Sequence, residues 1–220
     1  MNLQSSRDRR ERFKKELLRK GIHLLIAFTP ALAAINRPLT IALLCAGSLF
    51  YLGCELLRLK GRAIPLLSRI TAFASRPHES GKFVLGPVTL AAGTILALVI
   101  FPLLPSFSPV PSMPGNNNAA IHAAIYALAF GDGLSGLVGR PFGRLRPPFL
   151  RGKSVEGSAV CCITVFISTW AVTQRVSASL GTALVTTVVE ALPLRNMDNI
   201  VIPLAAGFSV MLFEAVAQLV

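Results

Sequence analysis

Long apolar segments separated by short polar ones recur along the whole chain. Runs close to the length of a membrane-spanning helix cover residues 39–57, 83–101, 119–138, 176–192 and 200–220, and shorter ones cover 22–35 and 159–172. A helix of about 20 apolar residues crosses the roughly 30 Å hydrocarbon core of a bilayer. The pattern therefore predicts an all-α fold, a polytopic transmembrane bundle of about seven spans.

Composition supports this class. The chain is 53% hydrophobic and only 15% charged, whereas soluble domains carry about 25% charged residues. We interpret residues 1–220 as a single integral-membrane domain, in which 1–20 form a basic cytoplasmic amphipathic segment and 21–220 form the bundle. The four cysteines lie within apolar segments without CxxC spacing, which favours packing residues over disulfides or a zinc site.

The basic residues predict the orientation. If the N-terminus is inside, twenty Lys and Arg residues fall on inner segments and only Arg37 and Arg175 on outer ones. This asymmetry predicts a cytoplasmic N-terminus and a C-terminus outside. It also explains the net charge of +12 without a nucleic-acid partner, for which no motif is present. We expect an integral membrane protein of a bacterial inner membrane, with its active site facing the cytoplasm.

The carboxylates need a separate explanation. Nine of the ten fall on the predicted inner side, and the positive-inside rule concerns Lys and Arg rather than acids. Asp132 lies within the fourth predicted span, Glu190 at the end of the sixth and Asp198 before the seventh. An ionisable residue at membrane depth is by default a functional hypothesis and needs a partner or ligand.

Asp132 stands in a glycine-rich stretch, 131–140, which is followed by the basic stretch 151–157. The first matches a dinucleotide fingerprint, but no strand precedes it. The second resembles the end of a P-loop, but Pro147 occupies the position of the required glycine. A carboxylate near glycines, lysine and arginines suits magnesium and polyphosphate. Packing of small residues between helices is the alternative for the glycines.

Four blocks together resemble a known family. They are Arg19-Lys20-x-x-His23; Gly131-Asp132 with Gly139; Gly152-Lys153-Ser154-x-Glu156-Gly157; and Glu190 followed by Asp198-Asn199 and Pro203. Their order and spacing resemble the polyprenol kinase family, which includes dolichol kinase, phytol kinase and CTP-dependent diacylglycerol kinase. CDP-diacylglycerol synthases are similar more distantly. The resemblance implies a multi-span enzyme that phosphorylates a lipid alcohol, commonly with CTP and a divalent cation such as Mg²⁺.

The resemblance also implies roles for individual residues. Asp132 would hold the metal, with Asp198 as a possible second ligand. The implied catalytic residues are Asp132, Lys153, Glu156 and Asp198. Nucleotide or phosphate binding would involve Arg19, Lys20, Gly131, Gly139, Gly152, Lys153, Ser154 and Asn199. Substrate or pocket positions would be His23, Glu79, Gly86, Pro87 and Glu190. The proton acceptor stays open between Glu156, Glu190 and Asp198.

Two alternatives to the lipid-alcohol kinase remain. One is a phosphatidate cytidylyltransferase, which transfers CMP and releases pyrophosphate. The other is a non-enzymatic membrane protein, a transporter or a protein whose basic face binds anionic lipid. The enzyme hypotheses require the inner carboxylates and Lys153 to lie close together. The sequence leaves the oligomeric state open.

Overall fold

The computed structural model describes residues 3–62, 83–105, 117–150, 152–194 and 197–217. The predicted pocket residue Glu79 lies outside these ranges. The described residues form eight α-helices and no strand, so the all-helical prediction is confirmed for them. The helices are α1 (Leu3–Leu25), α2 (Thr29–Leu59), α3 (Gly86–Leu103), α4 (Asn118–Tyr126), α5 (Gly133–Phe142), α6 (Val155–Thr173), α7 (Val176–Ala191) and α8 (Asp198–Val216).

Shorter helical segments join some of these helices. A 3₁₀ turn, Ile26–Phe28, connects α1 to α2, and another, Pro148–Leu150, precedes α6. A π-helical segment, Ala127–Asp132, connects α4 to α5. The segments Ile26–Phe28 and Ala127–Asp132 are themselves helical. Helix α1 therefore continues into α2, and α4 continues into α5.

Five helical stretches in the described chain are long and apolar enough to cross a membrane. They are Phe13–Leu59, Gly86–Leu103, Asn118–Phe142, Val155–Thr173 and Asp198–Val216, while α7 is apolar but shorter, with 16 residues. The first stretch has 47 residues, about 70 Å of helix at 1.5 Å per residue. It contains two of the spans that the hydrophobic pattern predicts, 22–35 and 39–57. The count of seven spans stays a prediction.

The long first stretch is broken at Asn36. This residue has non-helical backbone angles, φ −153° and ψ 95°. Its side chain accepts the N–H of Leu39 at 2.9 Å, and its carbonyl accepts the hydroxyl of Thr40 at 2.9 Å. Pro38, between them, has no N–H to donate. The bonds to Asn36 therefore start a new helical segment within α2, between the two predicted spans.

Small residues allow the helices to pack closely. Ala97, Ala124 and Ala206 are fully buried. A Cβ added at Gly207 would overlap the ring of Phe101, which is itself fully buried. In lipid, association of helices depends on such close packing, because lipid chains are as apolar as the side chains.

Hydrogen bonds place the ends of the helices beside one another. Tyr51 donates its hydroxyl to the carbonyl of Val84 at 3.0 Å, and Glu55 accepts the N–H of Val84 at 2.9 Å. The end of α2 therefore lies at the start of α3. At the other end of α3, the amide of Asn117 donates to the carbonyl of Phe101 at 2.8 Å, which places the start of α4 there.

Candidate functional site

Asp132 ends the π-helical segment and is buried. Short π segments inserted between α-helices are frequent at functional sites. The segment packs closely on α6, since a Cβ added at Gly131 would lie 2.8 Å from Cγ2 of Val165. The local geometry thus marks the same position that the sequence singles out by its charge.

Asp132 contacts charged and polar side chains of α1. Nζ of Lys20 lies 2.5 Å from Oδ2 of Asp132, and both residues are more than 90% buried. Nδ1 of His23 lies 3.2 Å from the same oxygen, although without hydrogen-bond geometry. A buried charge is costly unless it is paired. The structure therefore brings together a predicted phosphate-binding residue, a predicted pocket residue and the predicted metal ligand.

Gly136 of α5 makes this approach possible, and Gly133 also lies beside α1. A Cβ added at Gly136 would lie 3.1 Å from Nζ of Lys20 and 3.2 Å from Oε1 of Glu16. A Cβ added at Gly133 would lie 3.5 Å from Cδ2 of Leu24. These glycines belong to the sequence that matches a dinucleotide fingerprint. In the structure they lie where α1 packs against α5, as small residues do between helices.

Glu16 extends the ion-pair cluster along α1. Its carboxylate accepts from Arg19 at 2.5 Å and from Arg140 at 3.2 Å. Arg19, a predicted phosphate-binding residue, is therefore held by an acid one turn earlier. Sequence reasoning did not place Glu16 in the site. Its spacing of three residues from Arg19, which puts both on one helix face, is the signal that could have found it.

A second lysine–carboxylate pair joins the loop before α6 to α7. Nζ of Lys153 lies 3.1 Å from Oε1 of Glu190 and also donates to the backbone carbonyl of Glu190. The hydroxyl of Ser158 donates to Oε2 of Glu190 at 3.3 Å. Glu190 is buried, whereas the side chain of Lys153 is 29% exposed. The predicted phosphate-binding lysine and a predicted pocket acid are thus direct neighbours.

Ser135 links the two pairs. Its Oγ lies 3.2 Å from the backbone carbonyl of Asp132 and 3.5 Å from Oε1 of Glu190. Lys20–Asp132 and Lys153–Glu190 therefore belong to one site, which α1, α5, α6 and α7 form together. The sequence analysis missed Ser135 and Ser158, because single serines in apolar helices are common packing residues.

Glu156 lies in the first turn of α6. Its Oε1 accepts the backbone N–H groups of Arg144 at 2.8 Å and Leu145 at 3.1 Å. Its Oε2 is buried and accepts no hydrogen bond from the part of the chain that the structure describes. An acid in the first turn also interacts favourably with the helix dipole. Through these hydrogen bonds, Glu156 holds the preceding loop against α6.

The basic loop is shaped by small residues. Ser154 caps α6 by accepting the N–H of Gly157 at 3.1 Å, and it donates to the carbonyl of Gly139 at 3.2 Å. A Cβ added at Gly139 would lie 2.9 Å from Oγ of Ser154. Gly152 has φ +95°, a conformation that favours glycine. Packing and turn geometry explain these residues, and their predicted role in phosphate binding stays a prediction.

The remaining predicted residues gather where α8 meets α3. Asn199 donates to the hydroxyl of Thr89 at 2.9 Å and to the carbonyl of Gly86 at 3.3 Å. Asp198 accepts the N–H of Asn199 at 3.0 Å. Pro87 stands in the first turn of α3, where its missing N–H costs no helical bond. The side-chain bonds of Asn199 thus run to α3 rather than to Asp132.

The donor set fits one mode of magnesium binding. Among the described residues, no group of three or more His, Cys, Asp or Glu side chains could hold a metal ion. Asp132 and Glu190 are each paired with a lysine. Mg²⁺ is commonly held by one or two carboxylates together with substrate phosphates. These residues therefore suit a magnesium ion that arrives with phosphate, not an ion held by protein alone.

Comparison with known proteins gives no family. No protein-family model, no curated protein and no solved structure matches the chain.

Proposed function

We propose that the chain is a CTP-dependent kinase that transfers a phosphoryl group to a lipid alcohol of the polyprenol, phytol or diacylglycerol type. The observation that carries the proposal is the pair of lysine–carboxylate contacts, Lys20–Asp132 and Lys153–Glu190, which Ser135 joins at one end of the bundle. Phosphoryl transfer requires positioning and charge neutralisation above all. The choice of CTP and of a lipid alcohol comes from the family resemblance.

In this proposal the lysines exchange their carboxylate partners for phosphate oxygens. The ammonium groups of Lys20 and Lys153 bind the nucleotide phosphates through charge-assisted hydrogen bonds. Asp132 would then hold a magnesium ion, which would supply charge neutralisation on the phosphates. Asp198 is the proposed second ligand.

The reaction joins the alcohol oxygen to the terminal phosphorus. The bond between that phosphorus and the bridging oxygen breaks, and the nucleoside diphosphate leaves. The hydroxyl proton passes to a carboxylate. We favour Glu190 among the three candidate bases, because Glu156 already accepts two backbone N–H groups through one oxygen, while Glu190 lies beside the hydroxyls of Ser135 and Ser158.

The proposed setting is a bacterial inner membrane crossed seven times, with the N-terminus and the site in the cytoplasm and the C-terminus outside. Support comes from the split of twenty inner to two outer Lys and Arg residues and from the break at Asn36 within α2. Helix α7, with 16 residues, is about 24 Å long. Local thinning of the bilayer accommodates a helix of that length.

The decisive experiment supplies purified protein with labelled CTP, Mg²⁺ and a panel of polyprenol, phytol, diacylglycerol and phosphatidate. Release of CDP together with a phosphorylated lipid is the expected result. Release of pyrophosphate with a CDP-lipid from phosphatidate would replace the kinase with the cytidylyltransferase. Turnover of none of these lipids would favour the non-enzymatic alternative.

The matched variants are two buried acids converted to amides. We expect Asp132→Asn to lower turnover at least about 100-fold, since changes merely adjacent to a metal ligand already cost 10–100-fold. Glu214→Gln is the control, because Glu214 is also buried but lies 16 residues along α8 from Asp198, about 24 Å away. Equal activity of the two variants would remove Asp132 from the mechanism.

A further inference from the structure

A cavity of about 420 Å³ lies beside the break at Asn36. Its lining includes Arg37, Leu98, Asn118 and His122. Asn118 precedes Asp132 by 14 residues of nearly continuous helix, about 21 Å at 1.5 Å per residue. The cavity is therefore at the opposite end of the bundle from the Lys20–Asp132 pair, and it plays no part in the proposed reaction.

The cavity combines a permanent cation with a hydrogen-bond acceptor. Arg37 carries its charge at all physiological pH values and presents several N–H donors. Nδ1 of His122 lies 2.6 Å from the carbonyl of Asn118. A carbonyl can only accept, so Nδ1 carries a hydrogen, and in the tautomer with its hydrogen on Nδ1 the other nitrogen, Nε2, is an acceptor. The cavity thus suits an anion that also bears a hydroxyl.

Apolar surface adjoins these polar groups. Ala33 and Leu98, in the lining, are buried, whereas Ile35, also in the lining, is 84% exposed. Leu32, one turn before Ile35, is also exposed. In an apolar helix of this kind, such exposed aliphatic side chains suit contact with lipid chains. A ligand of the cavity would therefore have both a polar head and apolar chains.

The position of Arg37 strengthens the case for an anionic ligand. It is one of only two Lys or Arg residues that the charge distribution places on the outer side, against the general bias. At that position its guanidinium can form charge-assisted hydrogen bonds with the phosphate of a lipid head group. The cavity volume also falls within the roughly 300–1,000 Å³ typical of small-ligand pockets.

We propose that this cavity binds the phosphodiester head group of an anionic glycerolipid of the phosphatidylglycerol type. The phosphate binds Arg37, a head-group hydroxyl donates to Nε2 of His122, and the acyl chains lie along Leu32 and Ile35. The ligand is a membrane lipid rather than free phosphate. This site does not depend on the proposed kinase activity.

Native mass spectrometry of the delipidated protein tests the proposal. The probes are phosphatidylglycerol, phosphatidic acid and phosphatidylcholine with identical acyl chains, and inorganic phosphate. We expect phosphatidylglycerol to bind most tightly. Equal binding of phosphatidylcholine would overturn the anionic-lipid assignment, and full competition by millimolar inorganic phosphate would assign the cavity to a free anion instead.

Two variants and one control locate the site. Arg37→Gln should weaken phosphatidylglycerol binding about 10-fold or more, the effect of a lost charged hydrogen bond. Arg175→Gln removes the other outer cation, which is not in the cavity lining, and should leave binding unchanged. Equal affinities of the two variants would overturn the proposal. If Arg37→Gln does not fold, Arg37→Lys replaces it, because lysine keeps the cation but loses the planar fork of arginine. Unaltered phosphatidylglycerol binding by Arg37→Lys would also overturn the proposal.

His122→Phe separates the head-group hydroxyl from the phosphate. The phenyl ring retains the edge contact that His122 makes with Tyr126, at 5.6 Å between ring centroids. We expect this variant to lose affinity for phosphatidylglycerol several-fold but to bind phosphatidic acid as before, because phosphatidic acid lacks the head-group glycerol. Equal losses for both lipids would overturn the assignment of the hydroxyl to His122.

Discussion

The Lys20–Asp132 contact determines how substitutions at either residue will act. Both side chains are buried, at 5% and 8% exposure, so each charge depends on the other for stabilisation. Removing one partner of a buried pair costs about 3–5 kcal/mol, because the other charge is left uncompensated. Loss of activity in a single variant would therefore mix a stability effect with a chemical one.

A double-mutant cycle separates the two effects. We expect Asp132→Asn and Lys20→Met each to destabilise the protein, and the double variant to be more stable than the sum of the single losses predicts, with a coupling of about 1.5–3 kcal/mol. The measurement is unfolding in mixed detergent micelles. The double variant should still lack turnover, because it lacks both functional side chains.

The control cycle uses Glu16 and Arg140. Their contact is 3.2 Å, but the side chain of Arg140 is 48% exposed, and exposed pairs contribute at most about 1 kcal/mol. We expect coupling below that value. If the Lys20–Asp132 cycle is no more strongly coupled than this one, the buried pair is not formed in the membrane protein.

The sequence identifies the charged members of the site but not their pairing. Asp132 and Glu190 are conspicuous because ionisable groups in apolar spans are costly. Lys20 is 112 residues from Asp132, and nothing local to either residue predicts the contact. It depends on α1 packing against Gly133 and Gly136 of α5. Pairing across such a separation is a property of the tertiary fold.

At the scale of helices, hydrophobic length predicts positions well. The predicted span 176–192 corresponds to Val176–Ala191, and 83–101 to Gly86–Leu103. The π-helical segment Ala127–Asp132 is not predictable in the same way. Its residues are mostly alanine, leucine and phenylalanine, which suit an α-helix equally, so the wider turn must come from packing against neighbouring helices rather than from local propensity.

The contact between α3 and α8 gives a prediction at this scale. A Cβ added at Gly93 would overlap the backbone carbonyl oxygen of Asn199 and lie 3.2 Å from Cγ of Pro203. A backbone group cannot rotate away as a side chain can. We therefore expect Gly93→Ala to separate these helices and lower the free energy of unfolding by about 1–3 kcal/mol, as overpacking does, measured by thermal unfolding in detergent.

Gly53→Ala is the matched control within α2. A Cβ there would meet no atom of the described structure within 4 Å, and alanine is the better helix former by up to about 1 kcal/mol. We expect this variant to be as stable as the parent protein or slightly more stable. Similar destabilisation in both variants would show that the two helices do not approach closely at Gly93.

At the scale of the whole molecule, the two ends of the bundle suit different anions. One end holds two buried or partly buried lysine–carboxylate pairs, and there we propose that a metal ion and phosphate bind together. The other end holds Arg37 beside a cavity and apolar surface, and no carboxylate is among the described residues that line the cavity. We therefore propose a nucleotide at the first end and a lipid head group at the second.

This arrangement requires the two ends to face opposite sides of the membrane. Ser177 is exposed in the first turn of α7, and Arg144 is exposed in the loop before α6. In a variant with Cys45, Cys54, Cys161 and Cys162 replaced by alanine, we expect Ser177→Cys to react with a membrane-impermeant maleimide in intact cells. Arg144→Cys should react only after permeabilisation, because the loop that contains it carries cations retained inside. Labelling of both cysteines from one side would show that α6 does not cross the bilayer, and the reverse pattern would place the Asp132 site outside, away from cytoplasmic CTP.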